Sequence, residues 1–208
     1  MKKIKGLYCI LPDFHNIEDY LNFVKKLLKY KPDVIQLRIK NKSDKCLYEV
    51  AFKIKKILSK TNIPFIIDDR LDIALLVKAD GIHVGQDDLS PKELRKILNK
   101  LKLRNFIIGY STHSLEQAKE ALNLPVNYIS IGPVFETNLK PDYRPVGVEI
   151  VKEAKKLVNN KFPVVAIGGI NHKNVELLKE AKPDAVAVIS ALKNLDLRII
   201  NKLKSIHG

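Results

Sequence analysis

Pro64-Phe65-Ile66-Ile67-Asp68-Asp69 is a short apolar run that breaks into two carboxylates, and Gly81-Ile82-His83-Val84-Gly85, running into Gln86-Asp87-Asp88, repeats the pattern. Runs too short for a helix and ended by glycine or charge read as buried strands, and the polar segment between them has helical periodicity. Together they form one strand–helix–strand unit. The same unit extends in both directions, with further runs at 6–11, 34–40, 106–111, 128–134, 163–169 and 185–190. Strictly alternating strands and helices make a parallel sheet covered by helices, and eight units close it into a single-domain (β/α)8 TIM barrel over 1–208. In that architecture chemistry sits at the carboxyl ends of the strands, so function is read from the residues just after each run.

The composition narrows the classes. No segment is both long and apolar enough to span a bilayer, and the basic start Met1-Lys2-Lys3-Ile4-Lys5 leads straight into the first strand, so a soluble, cytoplasmic protein is expected. Cys9 and Cys46 have no metal-ligand or disulfide spacing and read as reduced thiols. The net charge of +14 and pI near 9.6 raise the question of nucleic acid. The lysines, however, are spread over the polar faces of nearly every helix, as in Val24-Lys25-Lys26-Leu27-Leu28-Lys29. No interleaving of aromatic and basic residues and no recognition-helix motif stands out, so no specific nucleic-acid partner is expected. A homo-oligomer is left open.

The second run, Val34-Ile35-Gln36-Leu37-Arg38-Ile39-Lys40, alternates polar and apolar residues. Its apolar set must pack on helices, so Gln36, Arg38 and Lys40 are expected on the face toward the barrel interior, where cations need an anion or buried carboxylates as partners. The third and fourth runs end in the carboxylates of Asp68-Asp69 and Asp87-Asp88. Two adjacent acidic clusters repel, by about 4 kcal/mol for a pair about 4 Å apart in an effective dielectric of 20, so a cation is expected between them. A hard divalent ion such as Mg²⁺, held by one or two carboxylates and substrate phosphates, meets that need. The alternative is that Asp87 or Asp88 caps the helix beginning near Ser90-Pro91 and that Asp68 pairs with Arg70.

Further along, Gly109-Tyr110-Ser111-Thr112-His113-Ser114 offers hydroxyls that either cap the next helix or help to bind an anion. His113 there is a general acid or base or a hydrogen-bond support for other groups. The connection 132–145 is the longest and most polar, as expected of a lid or a ligand-gripping loop. Gly168-Gly169 at the end of the seventh run and Ser190 at the end of the eighth match the phosphate-binding corner of many such barrels.

Taken in order, these strand ends resemble the thiamine-phosphate synthase family over essentially the whole chain. The segments that carry the resemblance are Gln36-Leu37-Arg38-Ile39-Lys40, Asp69-Arg70, Asp80 through Asp88, Ser111-Thr112-His113, Gly132-Pro133-Val134-Phe135 with Thr137 and Lys140, Ala166-Ile167-Gly168-Gly169-Ile170, and Val188-Ile189-Ser190-Ala191. The resemblance implies a transferase that joins a pyrimidine diphosphate to a thiazole phosphate by a dissociative substitution. It implies Arg38 and Lys40 on the diphosphate, Gln36 and Asp68 beside the pyrimidine, and Asp69 and Asp88 as Mg²⁺ ligands. Ser111 and Lys140 are then near the diphosphate or its leaving group, with Thr137, Leu139, Gly169, Ile189 and Ser190 around the thiazole phosphate. Three positions depart from the family pattern: Asp68 stands where it has Asn, Leu139 where it has Thr, and Ile39 where it has Glu. A carboxylate cannot donate the hydrogen bond of an amide, a loss on the order of 1–3 kcal/mol where a ligand needs that donor.

Two other readings compete. A thiazole tautomerase on the same barrel would use His113 as proton carrier and shares Phe135-Glu136-Thr137, but has no use for the carboxylate pair. A noncatalytic relative would keep the phosphate corner and bind phosphorylated ligands without turnover.

Overall fold

The computed structural model describes residues 2–137 and 144–207. Eight parallel strands close in sequence order into a barrel: β1 (Gly6–Ile10), β2 (Val34–Leu37), β3 (Phe65–Asp68), β4 (Gly81–Val84), β5 (Ile107–Thr112), β6 (Tyr128–Ile131), β7 (Val164–Ile167) and β8 (Ala185–Val188). Most are shorter than the apolar runs that announce them. β2 stops at Leu37, because beyond it the chain carries charge into the mouth of the barrel, so Arg38 and Lys40 lie past the strand end.

The helices are α1 (Ile17–Leu28), α2 (Asp44–Leu58), α3 (Leu71–Leu76), α4 (Pro91–Lys100), α5 (Leu115–Ala121), α6 (Gly147–Val158) and α7 (Leu197–Lys204). Their starts are chemically marked: Asn16, Ser43, Ser90, Ser114 and Asp196 each turn a side-chain oxygen onto a first-turn N–H. Ser90 followed by Pro91 therefore settles the start of α4, and neither Asp87 nor Asp88 caps it. The alternation lapses once, since β7 and β8 are joined through a 3-10 turn, Val175–Leu178, in place of an α-helix.

Period-two geometry divides the core in two. Leu7, Cys9, Ile35, Leu37, Phe65, Ile67, Ile82, Ile108 and Ile129 face outward onto the helices. Tyr8, Ile10, Val34, Ile66, Ile107, Tyr128, Val165, Ala185 and Ala187 fill the interior. Room for the large ring of Tyr128 comes from Gly109 on the neighbouring strand, where a Cβ would lie 2.1 Å from Tyr128 Cζ.

At the amino-terminal end, four residues that directly precede even-numbered strands repeat one contact. Asp33, Asp80, Asn127 and Asp184 accept the backbone N–H of Leu7, Phe65, Ile108 and Val164 at 2.8, 2.9, 2.8 and 2.7 Å. A cation from an adjoining helix clips three of them: Lys55 of α2 on Asp80 (3.0 Å), Arg95 of α4 on Asn127 (2.9 Å) and Lys155 of α6 on Asp184 (2.7 Å). At the fourth seam Lys204 of α7 reaches the carbonyls of Tyr30 and Lys31 instead.

Candidate active site

One cavity opens at the carboxyl ends of the strands. Arg38, Lys40, Asp68, Asp69 and Asp88 line one side, and Thr137, Gly168, Gly169, Ile189 and Ser190 the other, with Tyr8, Gln36, His83, Ser111 and Tyr128 in its floor. Of the candidate site residues named in the sequence, Leu139 and Lys140 lie outside the described residues, as does the stretch 138–143 of the connection read as a lid or ligand-gripping loop.

The cationic side is built by β2 and β3. Gln36 points inward from β2 and donates from Nε2 to Asp68 Oδ1 at 2.5 Å. Arg38 Nε and Lys40 Nζ reach Asp68 Oδ2 at 3.5 and 3.3 Å, and Lys40 also pairs with Asp69. Of the three residues expected to face the interior only Gln36 does so; Arg38 and Lys40 stand past the strand end at the mouth, Lys40 exposed, where they meet half-buried carboxylates. Arg70 turns outward to Asp44 and Asp72 and makes no side-chain pair with Asp68. Burial, with Asp69 nearby, pushes the Asp68 carboxyl up to about 6 despite Lys40 and Arg38. Burial opposes the charge on Lys40, but the hydrogen bond to Asp69 and the charge of Asp68 outweigh it and raise its pKa.

Asp69 follows β3 in a left-handed conformation, φ 56°, unusual for a residue with a side chain and costing about 1–2 kcal/mol. The backbone is held there by Asp69 N–H on His83 O (2.8 Å) and Arg70 N–H on Asp68 O (2.7 Å). This turn brings the Asp69 carboxyl within hydrogen-bonding reach of Asp88, and burial, with Asp88 beside it, raises the Asp69 pKa. Asp88 is in turn fixed by accepting Gly85 N–H at 2.7 Å. No group of three His, Cys, Asp or Glu side chains converges among the described residues. A pair of hard carboxylate oxygens fits a Mg²⁺ ion that completes its shell from water and ligand phosphates, and does not fit a closed protein cage.

The opposite side is a turn without side chains. Gly168 and Gly169 have φ of 100° and 66°, and a Cβ on Gly169 would meet Glu136 O at 2.4 Å. Phe135 N–H donates to Gly168 O at 3.1 Å, and the amides of Asn171 and Asn174 both donate to Gly169 O, at 3.1 and 2.9 Å. Because carbonyl and N–H of a trans peptide point opposite ways, the N–H groups of Gly169 and Ile170 are turned away from those partners. Such a glycine turn suits a phosphate. His113 lines the cavity between the two sides, with Nδ1 2.6 Å from Gly132 O and its backbone N–H on Gln117 Oε1 at 2.7 Å. The following helix takes its cap from Ser114, not from Ser111 or Thr112.

Several members of the site are missing from the sequence reading. Tyr8, Tyr128 and Ser130 sit inside strands that look uniformly structural, and their signal is period two, which puts each on the interior face. Asn171 and Asn174 act through a backbone carbonyl, and no side-chain motif marks that role.

A family model described as thiamine monophosphate synthase matches residues 7–192. The thiamine-phosphate synthase of Clostridium tetani is 47% identical over 159 residues, 76% of this chain and 73% of that protein. That of Methanobrevibacter smithii is 38% identical over 202 residues, 96% and 94% of the two chains. Among solved structures, a thiamine phosphate pyrophosphorylase from Pyrococcus furiosus superposes with a TM-score of 0.80 at 32% identity, covering 96% of this chain and 94% of that one. A 3-hexulose-6-phosphate synthase, at TM-score 0.68 and 15% identity over 98% of this chain and 99% of that one, shares the fold alone.

Proposed function

The chain belongs to the thiamine monophosphate synthase family, and from that membership and the geometry of the barrel mouth we propose how it carries out the family's transfer reaction. The reaction joins the pyrimidinylmethyl group of a pyrimidine diphosphate to the nitrogen of a thiazole phosphate, releasing pyrophosphate. In this reading the protein works in the cytoplasm on two small phosphorylated substrates.

The charge balance of the cavity carries the proposal. Among the described lining residues, Arg38 and Lys40 face Asp68, Asp69 and Asp88, so the carboxylates outnumber the cations. A diphosphate entering this side meets net repulsion unless a further cation enters with it. Asp69 and Asp88 would hold Mg²⁺, which when bound offsets charge on the departing diphosphate. Arg38 and Lys40, already placed by Asp68, hold the diphosphate and stabilise the negative charge that grows as its bond to the pyrimidinylmethyl carbon breaks dissociatively. Gln36 and Asp68 border the pyrimidine, and Ser111 faces them from across the cavity floor. Thr137, the Gly168-Gly169 turn, Ile189 and Ser190 seat the thiazole phosphate, which fixes its ring nitrogen for attack. Lys140 is assigned to the leaving group and Leu139 to the thiazole side on the sequence pattern.

The test incubates the purified protein with both phosphorylated substrates, with and without Mg²⁺, and measures thiamine phosphate and pyrophosphate. Product that requires Mg²⁺ supports the proposal, and undiminished product under chelation removes the metal from it. Absence of product with isomerisation of a thiazole precursor would transfer the assignment to a His113-based tautomerase.

A further inference from the structure

Five hydrogen bonds run unbroken across the barrel interior from Asp68 to Ser111. Asp68 Oδ1 accepts from Gln36 Nε2 (2.5 Å), and Gln36 Oε1 accepts from the Tyr8 hydroxyl (2.7 Å). The Tyr8 and Tyr128 hydroxyls are 2.7 Å apart, Tyr128 Oη is 2.9 Å from His83 Nδ1, and His83 Nε2 is 2.9 Å from Ser111 Oγ. Gln36, Tyr8, Tyr128 and His83 are buried.

We propose that Asp68 is a positioning residue that sets the direction of every proton along this chain, so that Ser111 presents oxygen lone pairs and not its proton to the ligand. An ionised carboxylate only accepts, so it forces the Gln36 amide to turn its NH₂ toward position 68 and its oxygen toward Tyr8. Tyr8 has one proton and spends it on Gln36, so the Tyr8–Tyr128 contact takes its proton from Tyr128. Tyr128 has then none left for His83, and Nδ1 must carry the proton between them. A neutral imidazole protonated at Nδ1 is bare at Nε2, which accepts from Ser111 at 2.9 Å in preference to the more distant Ser130 hydroxyl, 3.5 Å from both Nε2 and Ser111 Oγ. The ligand atom that meets Ser111 is therefore an N–H or O–H donor and not a phosphoryl oxygen. This refines the part given to Ser111 above, and the chain of contacts stands whichever reaction the cavity performs.

The carboxylate is anchored from its other oxygen by Arg38 and Lys40, which gives the substitution Asp68→Asn a definite outcome. The two cations retain the single amide oxygen, and the new NH₂ faces Gln36. Gln36 then turns over, Tyr8 donates to Tyr128, Tyr128 donates to His83 Nδ1, and Nε2–H donates to Ser111, whose own proton is released to the cavity. One atom changed at the mouth reverses a proton on the far wall.

The tautomer of His83 reads this directly. In ¹⁵N-histidine-labelled, ligand-free protein in mildly alkaline buffer, His83 is identified by the signals lost in His83→Gln. The wild-type protein is expected to show the Nδ1–H tautomer, and Asp68→Asn the Nε2–H tautomer, with the protonated and bare nitrogen resonances exchanged. A packing role for Asp68 would leave the tautomer unmoved. Should Asp68→Asn fail to fold, Tyr8→Phe cuts the same chain. Tyr128, deprived of its acceptor, then donates to His83 Nδ1, and the same exchange is expected. An Nε2–H or doubly protonated His83 in the wild-type protein overturns the proposal, as does an unchanged tautomer in a folded variant.

Discussion

Replacing Gly109 by Ala places a methyl group inside the ring of Tyr128. The added Cβ would lie 2.1 Å from Cζ, 2.3 Å from the hydroxyl oxygen and 2.4 Å from Cε1, where ordinary contact begins at 3.4 Å. The ring must retreat by about 1 Å in an interior packed at crystal-like density. Its hydroxyl is held at 2.7 Å by Tyr8 and 2.9 Å by His83, so the retreat breaks both bonds. Two buried polar partners left unsatisfied, at about 1–3 kcal/mol each, with about 1–3 kcal/mol for overpacking, give a total on the order of 3–9 kcal/mol. The alanine's small advantage in a strand is minor beside that. Urea unfolding with an unchanged m-value measures the loss. The same substitution in a Tyr128→Leu background, where the clashing ring atoms are gone, is expected to cost less than about 1 kcal/mol. Equal costs in the two backgrounds, or a cost near zero in the wild-type protein, would refute the claim that Gly109 exists to admit Tyr128.

Three further outcomes follow from the geometry. Gly169→Ala puts a side chain on φ 66° and against Glu136 O; affinity for thiazole phosphate should fall at least about tenfold, or about 1.4 kcal/mol, by calorimetry, and an unchanged Kd would detach the turn from phosphate binding. Asp69→Asn and Asp88→Asn should each abolish Mg²⁺-supported diphosphate binding while leaving the thermal midpoint equal or higher, because mutual repulsion is relieved; diphosphate binding that persists with its Mg²⁺ dependence intact would exclude the pair as ligands. Although burial opposes its charge, Asp80 is held below the usual carboxylate pKa by Phe65 N–H, Lys55 and Lys2. The folded protein then binds its proton less readily than the unfolded chain, so the contribution is complete above about pH 4 and disappears as pH falls through the lower folded value. Asp80→Asn should flatten that acid limb in pH-dependent unfolding, and an identical limb would mean that Asp80 contributes nothing to it.

The barrel was legible because eight apolar runs at a steady interval leave few other closed arrangements, and strand ends in charge or glycine mark which side bears chemistry. The inward direction of Gln36 followed from alternation on β2 alone, and Asp68 supplied the carboxylate that the cations beyond it needed. What alternation did not show was the length of each strand, since hydrogen bonding to neighbours, not hydropathy, decides where a strand stops. The wrong partner for Arg70 has the same origin. Residues two apart after β3 look paired in sequence, but the left-handed turn at Asp69 sends Arg70 out toward Asp44. The run from Tyr8 to His83 stayed hidden because its members are scattered over β1, β4 and β6 and meet only when the sheet closes.

The four contacts at the amino-terminal end divide the barrel into quarters. Each pin, from Asp33, Asp80, Asn127 and Asp184, ties an odd strand to the even strand that follows it, entirely within one quarter. Each clip, from Lys55, Arg95 and Lys155, comes from the last helix of the quarter before. One register contact is thus made inside each module, and at three seams a cation adds a clip to the strand pairing that joins neighbouring modules, so a natural unit of recombination is two strands with two helices. A chimera spliced at these seams must supply a basic residue at the clip position along with matching strand and core faces, while one spliced in mid-quarter also separates a strand from the residue that pins it.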